Sequence, residues 1–127
     1  MAYIRDHGIQ NTSSYPYVAK NQACKIHGGS FKISHVKTVR GCANLQAAIQ
    51  QRPVGVSVDA TNWSRYGSGI FSDCGKKLDH NVLLVGLTDS YYKIKNSWST
   101  GWGEKGFIRL ALGNTCGICD DLSPWAE

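Results

Sequence analysis

The sequence predicts an α+β fold that consists mainly of an antiparallel sheet or barrel with one or two helices beside it. Three observations favour this class. Apolar residues recur with a period of two in several short stretches of the second half, glycine-rich turns separate these stretches, and a single longer stretch has helical spacing. With 127 residues, of which 42% are hydrophobic and 18% charged, the chain is long and apolar enough to bury a core.

The helical candidates lie in the first half of the chain. MAYIRDH, residues 1–7, has the character of a helix end that Gly8 closes. Residues 11–36 are rich in Ser, Tyr, Gly, Asn and Lys and predict an irregular loop. In NLQAAIQQ, Asn44 is a candidate N-cap, and Pro53 stops the helix. The apolar residues of this stretch have helical spacing, namely Leu45, Ala48 and Ile49.

The strand candidates follow. PVGVSVDA alternates apolar and small or polar residues, and its apolar face carries Val54, Val56 and Val58. HNVLLVGL is nearly continuous in apolar residues, which predicts a strand buried on both faces. YYKIKNSW and GFIRLAL are rich in aromatic and branched residues and predict two further strands.

Charge and hydropathy argue against two classes of partner. The formal net charge is +5, but the fourteen Lys and Arg residues are scattered, whereas a nucleic-acid-binding protein concentrates them on one face. The longest apolar run, VLLVGL, is far shorter than a membrane-spanning helix. Arg5, Asp6 and His7 interrupt any apolar signal-peptide core after Met1. We therefore expect no nucleic-acid partner and no membrane insertion.

Cysteines and glycosylation sequons indicate a secretory route. The chain contains five cysteines, an odd number that leaves at least one without a partner in the chain. Two Asn-x-Ser sequons are present, at residues 11–13 and 62–64. Both features are typical of proteins that fold in an oxidising compartment.

One histidine stands out by its position. His80 begins the predicted strand HNVLLVGL, and Asn96 ends the next strand, so the two side chains could meet at one sheet edge. A catalytic imidazole needs an acceptor at its second nitrogen to fix its tautomer, and an Asn oxygen can serve. Trp98 follows two residues later, where an indole could shield the hydrogen bond from water. An isolated His beside a strand is nevertheless more often structural than catalytic.

Four blocks carry a resemblance to a known family: SYPY, PVGVSVDATNWSRYGSGIFSDCG, LDHNVLLVG and YYKIKNSWSTGWGEKGFIRLALGNTCGI. In this order and spacing, over residues 1 to about 119, the chain resembles a papain-like cysteine protease of the cathepsin L type. The resemblance implies a papain-like fold in which residues 39–127 form the β-barrel (right) domain and residues 1–38 are a remnant of the helical (left) domain. It also implies cysteine-type endopeptidase chemistry on peptide or protein substrates, without a cofactor or metal. The implied location is lysosomal, vacuolar or extracellular.

The resemblance assigns roles to four residues. His80 matches the catalytic general base and ion-pair partner of a thiolate, and Asn96 matches the residue that orients it. Trp98 matches the indole that covers this pair. Trp102 matches a second tryptophan near the primed side of the cleft. Without the flanking match, both tryptophans would be interpreted as core aromatics.

The family nucleophile has no counterpart in these residues. The motif Cys-Gly-x-Cys-Trp and the preceding oxyanion-hole glutamine are both absent from the sequence. The resemblance implies a Cys74–Cys116 disulfide and a Cys24 whose partner lies in the family's N-terminal half; a Cys42–Cys119 bridge is an open alternative. We therefore predict that this chain alone is inactive and folds poorly. Its expected partner is the missing N-terminal half, or another chain that covers the cleft face.

The resemblance also places a substrate pocket. Its wall positions match Ser57, Leu78 and Asn81, with Asp121 at the base. The family usually has Ala or Gly where Asn81 stands, so a narrower and more polar pocket is expected. Asp121 could accept a Lys or Arg side chain of the substrate, or could be a solvated carboxylate of the C-terminal tail.

Three alternative functions compete with this interpretation. Cys116-x-x-Cys119 has the spacing of zinc ligands, with Cys24, His27, His35 and Cys42 as further candidates. The same Cys-x-x-Cys pair could be a redox pair. The strongest rival is a non-catalytic interaction or structural protein with a papain-like scaffold, because a fold does not determine its function.

Overall fold

The computed structural model describes all 127 residues. The chain divides into two compact units, residues 1–37 with 126–127 and residues 38–125. The helices are α1 (Ala2–His7) and α2 (Cys42–Ile49), and single 3-10 turns span Trp63–Arg65 and Thr115–Gly117. The strands are β1 (Val36–Val39), β2 (Val54–Val58), β3 (Ile70–Phe71), β4 (His80–Leu87), β5 (Tyr91–Lys95), β6 (Phe107–Ala111) and β7 (Ser123–Ala126). None of the helices has the length and apolar character needed to cross a membrane.

The first unit contains little regular structure, as the sequence predicts. Helix α1 ends at Gly8, whose φ of 78° lies in the left-handed region. A Cβ atom at Gly8 would lie 2.1 Å from the carbonyl oxygen of Gly29, so only glycine allows this backbone contact. The contact is continued by an isolated bridge between Ile9 and Phe31.

A five-stranded sheet, in the order β2-β4-β5-β6-β3, forms the centre of the second unit. All neighbouring strands are antiparallel except β3 and β6, which run parallel. Strands β1 and β7 pair separately as a two-stranded sheet. The predicted α+β class with a mainly antiparallel sheet is thus confirmed.

The core of the second unit comes from alternating strand residues. Strand β2 buries every second residue, as its period of two predicts. Helix α2 covers the sheet with the apolar face identified from its spacing. Each large side chain buried in this way contributes about 1.5–3 kcal/mol. The fully buried members include Leu45, Val54, Val58, Trp63, Leu84, Tyr92, Ile94, Ile108 and Leu110.

Two expectations about these elements are wrong. Helix α2 begins at Cys42 with Gly41 as N-cap, so Asn44 lies inside the helix, where its amide donates to the carbonyl of Arg40. Strand β4 is not buried on both faces. Leu84 is completely buried, whereas Asn81 and Leu83 are exposed, because core residues pack against one face of β4 only.

Candidate active site

His80 and Asn96 meet because β4 and β5 are antiparallel neighbours. His80 is the first residue of β4, and Asn96 directly follows Lys95, the last residue of β5. The pairing of Leu83 with Lys95 brings this end of β5 beside the start of β4. His80 Nε2 lies 2.9 Å from Asn96 Oδ1, and Asn96 is only 8% exposed. The structure therefore brings together the two residues that the sequence analysis selected.

The Asn96 side chain determines which imidazole nitrogen is free. The backbone N–H of Ser97 donates to Asn96 Oδ1 over 2.8 Å, which identifies that atom as the oxygen. A carbonyl oxygen only accepts hydrogen bonds, so His80 Nε2 carries a hydrogen and donates it. In the neutral ring, Nδ1 then has the free lone pair. The arrangement is that of a base whose tautomer is held by a neutral amide.

Two indoles contact the His80 ring, and a third packs against those two. Trp98 lies over it at a small tilt, with ring centroids 5.1 Å apart, and Trp63 meets its edge at 6.1 Å. Trp102 stacks on Trp63 at 6.0 Å, and its Nε1–H donates to the Trp63 carbonyl over 3.0 Å. Trp98 is 37% exposed, whereas Trp63 is completely buried. Trp63 and Trp98 limit the movement of the imidazole ring. Trp98 is itself partly exposed, so it shields the ring from solvent only in part.

Sequence reasoning missed Trp63 and Asp79. A large aromatic residue in the otherwise polar stretch TNWSRYG was a signal for Trp63 that was not used. Asp79 directly precedes His80, and its carboxylate accepts from the Ala60 N–H over 2.9 Å and the Thr61 hydroxyl over 3.2 Å. These bonds tie the backbone at His80 to the segment that follows β2.

The loop that carries Trp102 is fastened by an ion pair. Glu104 accepts three hydrogen bonds from the Arg109 guanidinium, at 3.2, 2.9 and 2.6 Å, and one from the Gly69 N–H at 3.0 Å. Gly103 has a φ of 56°, and a Cβ there would lie 2.6 Å from the Phe107 carbonyl oxygen. The loop is thereby held between the segment after Trp63 and strand β6.

We expect stability to fall in acid because two carboxylates of the second unit, Asp59 and Glu104, are stabilised in the ionised form. Hydrogen bonds from Thr61 hold the pKa of Asp59 below its ordinary value, and Arg109 does the same for Glu104. A depressed pKa means that the folded state binds fewer protons than the unfolded chain. The stabilisation is thus complete above the unfolded pKa, about 4, and is lost as the pH falls through the folded values.

Thermal unfolding followed by circular dichroism between pH 7 and 2 measures this dependence. The melting temperature should stay nearly level down to about pH 5 and then decrease. Glu104→Gln should melt lower at pH 7 and show a shallower acid decrease. An acid decrease of equal steepness in Glu104→Gln and wild type would contradict the assignment to Glu104.

The predicted substrate-pocket residues come together in part. Ser57 and Asn81 are paired across β2 and β4, and the Ser57 hydroxyl lies 3.0 Å from Asn81 Oδ1. The same hydroxyl donates to Asp121 Oδ2 over 2.8 Å. This bond, with the Leu122 N–H and the nearby Arg40 charge, lowers the pKa of Asp121. Asp121 is therefore an ionised, exposed carboxylate beside two of its predicted neighbours.

Leu78 takes a different position. A Cβ atom at Gly117 would lie 2.8 Å from Leu78 Cδ2, so Leu78 packs over that glycine. No hydrogen bond connects Leu78 with the cluster of Ser57, Asn81 and Asp121.

Four of the five cysteines form disulfides. Cys74 bonds to Cys116, as the resemblance implies, and Cys42 bonds to Cys119. The free Cys24 is exposed in the first unit, and its thiol contacts the Ile26 carbonyl at 3.2 Å. The disulfides engage both sulfurs of the Cys116-x-x-Cys119 pair with separate partners. Neither the zinc site nor the redox pair suggested by that spacing is present in this form.

The antiparallel sheet thus presents a part-buried His80–Asn96 pair that the Trp98 indole partly covers. The sequence profile of the papain family cysteine proteases matches residues 1–124, and the chain belongs to this family.

The chain is similar to curated proteases of the cathepsin L type. It is 45% identical over 120 residues to "Cathepsin L 1" and 47% identical over 123 residues to "Cathepsin L 2", both of Paramecium tetraurelia. Each alignment covers 92% of this chain and 38% of the relative. The chain thus spans less than half of the length of these relatives.

Solved structures show the same fold. A cysteine protease of Carica candamarcensis in complex with E-64 superimposes with a TM-score of 0.89 at 33% identity, covering 98% of this chain and 64% of that one. Digestive procathepsin L 3 of Tenebrio molitor gives a TM-score of 0.85 at 34% identity, covering 98% and 46%. The papain-like fold is therefore confirmed.

Proposed function

We propose that this chain provides the histidine and asparagine of a cathepsin L-type endopeptidase that cleaves peptides or proteins. The observation that carries the proposal is the 2.9 Å contact between His80 Nε2 and Asn96 Oδ1, which leaves Nδ1 free. A protonated His80 can donate through Nε2 to Asn96 and through Nδ1 to a thiolate. This ion pair is the activated nucleophile of thiol proteases.

The chemistry follows from this arrangement. The thiolate attacks the scissile carbonyl carbon, and His80 then gives its Nδ1 proton to the leaving amine as the C–N bond breaks. Nδ1 next takes a proton from water, whose oxygen attacks the thioester carbon. The C–S bond then breaks, the carboxylic acid product leaves, and the thiolate is restored beside the protonated His80. Asn96 stays neutral throughout and keeps the imidazole in one orientation.

The thiolate would come from outside these 127 residues. Four cysteines are in disulfides, and Cys24 is an exposed thiol without the family's nucleophile motif around it. Partners that could provide the nucleophile are the N-terminal half of the protease, or another chain that covers the cleft face. The chain alone is then inactive.

A chimera tests this proposal. The part of Paramecium tetraurelia cathepsin L 1 that precedes the aligned region is joined in front of Met1, and hydrolysis of a fluorogenic peptide is compared with that of the chain alone. We expect thiol-dependent hydrolysis by the chimera and none by the chain. Hydrolysis by the chain that disappears in Cys24→Ser would overturn the missing-nucleophile part. A folded chimera that binds peptide without cleaving it would favour the non-catalytic alternative.

The two disulfides support localisation of the protein in an oxidising compartment. Bonds such as Cys42–Cys119 and Cys74–Cys116 persist mainly in secreted proteins and in secretory compartments. A lysosomal, vacuolar or extracellular location is proposed on this basis.

Asp121 is proposed to favour substrates with Lys or Arg at the second residue before the cut. Its ionised carboxylate lies beside Ser57 in an exposed position, where solvent screening keeps the contribution of a charge pair small. In the chimera, Asp121→Asn should therefore reduce the preference for Arg over Leu at that residue by about five-fold. Relative kcat/KM values for a matched pair of peptides give the measurement. Asp89→Asn, in an exposed turn, is the control, and equal preference in Asp121→Asn and wild type would exclude this role.

A further inference from the structure

We propose that Asn11 carries an N-linked glycan and that Asn62 does not. Both residues begin an Asn-x-Ser sequon, so the sequence alone does not distinguish them as glycan acceptors. The structure gives them different surroundings. This modification is independent of peptidase activity.

The first sequon lies in an exposed turn. Asn11, Thr12 and Ser13 are all exposed, and Asn11 Oδ1 accepts hydrogen bonds from the Ser13 hydroxyl at 2.6 Å and the Ser14 N–H at 3.1 Å. These bonds use only the oxygen of the side-chain amide. Asn11 Nδ2 donates to no protein atom, so a sugar attached there replaces no contact of the folded chain.

The second sequon is part of the structural support of the candidate active site. Asn62 Nδ2 donates to the Asp73 carbonyl over 3.1 Å. Asn62 and Ser64 are exposed, but the middle residue, Trp63, is completely buried and packs against His80 and Trp102. Folding therefore draws the centre of this sequon into the core and engages its acceptor nitrogen.

The modification is a group transfer with a defined donor class. Asn11 Nδ2 forms a bond to C1 of the first sugar of a lipid-linked oligosaccharide diphosphate. The bond from C1 to the diphosphate oxygen breaks, the lipid diphosphate leaves with the electron pair, and one Nδ2 proton passes to a base. The donor belongs to the secretory compartment in which disulfides such as Cys74–Cys116 form.

Folding determines when the transferase can modify each of the two sequons. The Asn11 sequon stays exposed after the chain has folded, so the transferase can reach it before and after folding. In the Asn62 sequon, Asn62 and Ser64 stay exposed, but the triplet is free to move into a transferase only until Trp63 enters the core and Asn62 Nδ2 bonds to Asp73. Conditions that delay folding should therefore add a glycan at Asn62 but make no difference at Asn11.

Translation in the presence of microsomal membranes tests the proposal. The full chain is placed behind a cleavable secretion signal, and glycans are counted by the gel shift that an endoglycosidase removes. Under oxidising conditions we expect one glycan on wild type and on Asn62→Gln, and none on Asn11→Gln or Ser13→Ala. Ser13→Thr is the conservative control and should keep the glycan.

The reducing arm tests the structural reason. With dithiothreitol present, disulfides cannot form, and a second glycan should appear that Asn62→Gln removes. A wild-type chain without a glycan, or a glycan that persists in Asn11→Gln, would overturn the assignment of Asn11. Two glycans under oxidising conditions would overturn the exclusion of Asn62, and one glycan under reducing conditions would overturn its explanation by folding.

Discussion

His80→Ala should lower kcat/KM of the nucleophile-containing chimera by on the order of 10³–10⁴-fold. The substitution removes both the ion-pair partner of the thiolate and the proton donor to the leaving amine. KM should change much less than kcat, because the imidazole acts on the reacting atoms and not on the bound peptide. Steady-state hydrolysis of a fluorogenic peptide measures both parameters.

Asn96→Ala should have a smaller effect of the same kind. It removes one hydrogen bond to a charged ring, about 1.5–3 kcal/mol, and therefore lowers kcat about 10–100-fold. His35→Ala is the matched control, because His35 is exposed and uses only its backbone for hydrogen bonds. If a normally folded His80→Ala chimera had a kcat/KM within ten-fold of the wild type, His80 would not be a catalytic residue.

Replacing Cys74 and Cys116 by serine should cost about 4 kcal/mol of stability. The bond closes a loop with a sequence separation of 42 residues, and the chain-entropy relation gives this value for a loop of that length. Because small domains have only about 5–15 kcal/mol in total, the variant should melt about 15 °C lower or be unfolded at 37 °C. Thermal unfolding followed by circular dichroism measures the change.

Cys24→Ser is the control for this variant, since it changes an exposed thiol that forms no disulfide. It should melt within about 1 °C of the wild type. A serine pair at positions 74 and 116 that melts with the wild type would show that folding is independent of this bond. The measurement does not require peptidase activity and can be made on the chimera as well as on the chain.

Local patterns were sufficient for much of the fold. Alternation in β2 places three valines in the core, since a strand turns successive side chains to opposite faces. Gly8 ends α1 because it alone adopts a positive φ beside another backbone at little cost. The start of α2 was not accessible in this way, because Gly41, and not a polar side chain, precedes its first turn.

The sequence by itself determined that His80 and Asn96 stand at the ends of two successive strands, and the family resemblance assigned their roles. Only the tertiary structure decided what surrounds them. Trp63 meets His80 from 17 positions away, and Asp79 anchors the adjacent backbone through residues that follow another strand. Such contacts depend on how strands register in three dimensions, which short-range patterns do not encode. The environment of each sequon was decided in the same way, because burial of Trp63 is a property of the packed core and not of the triplet.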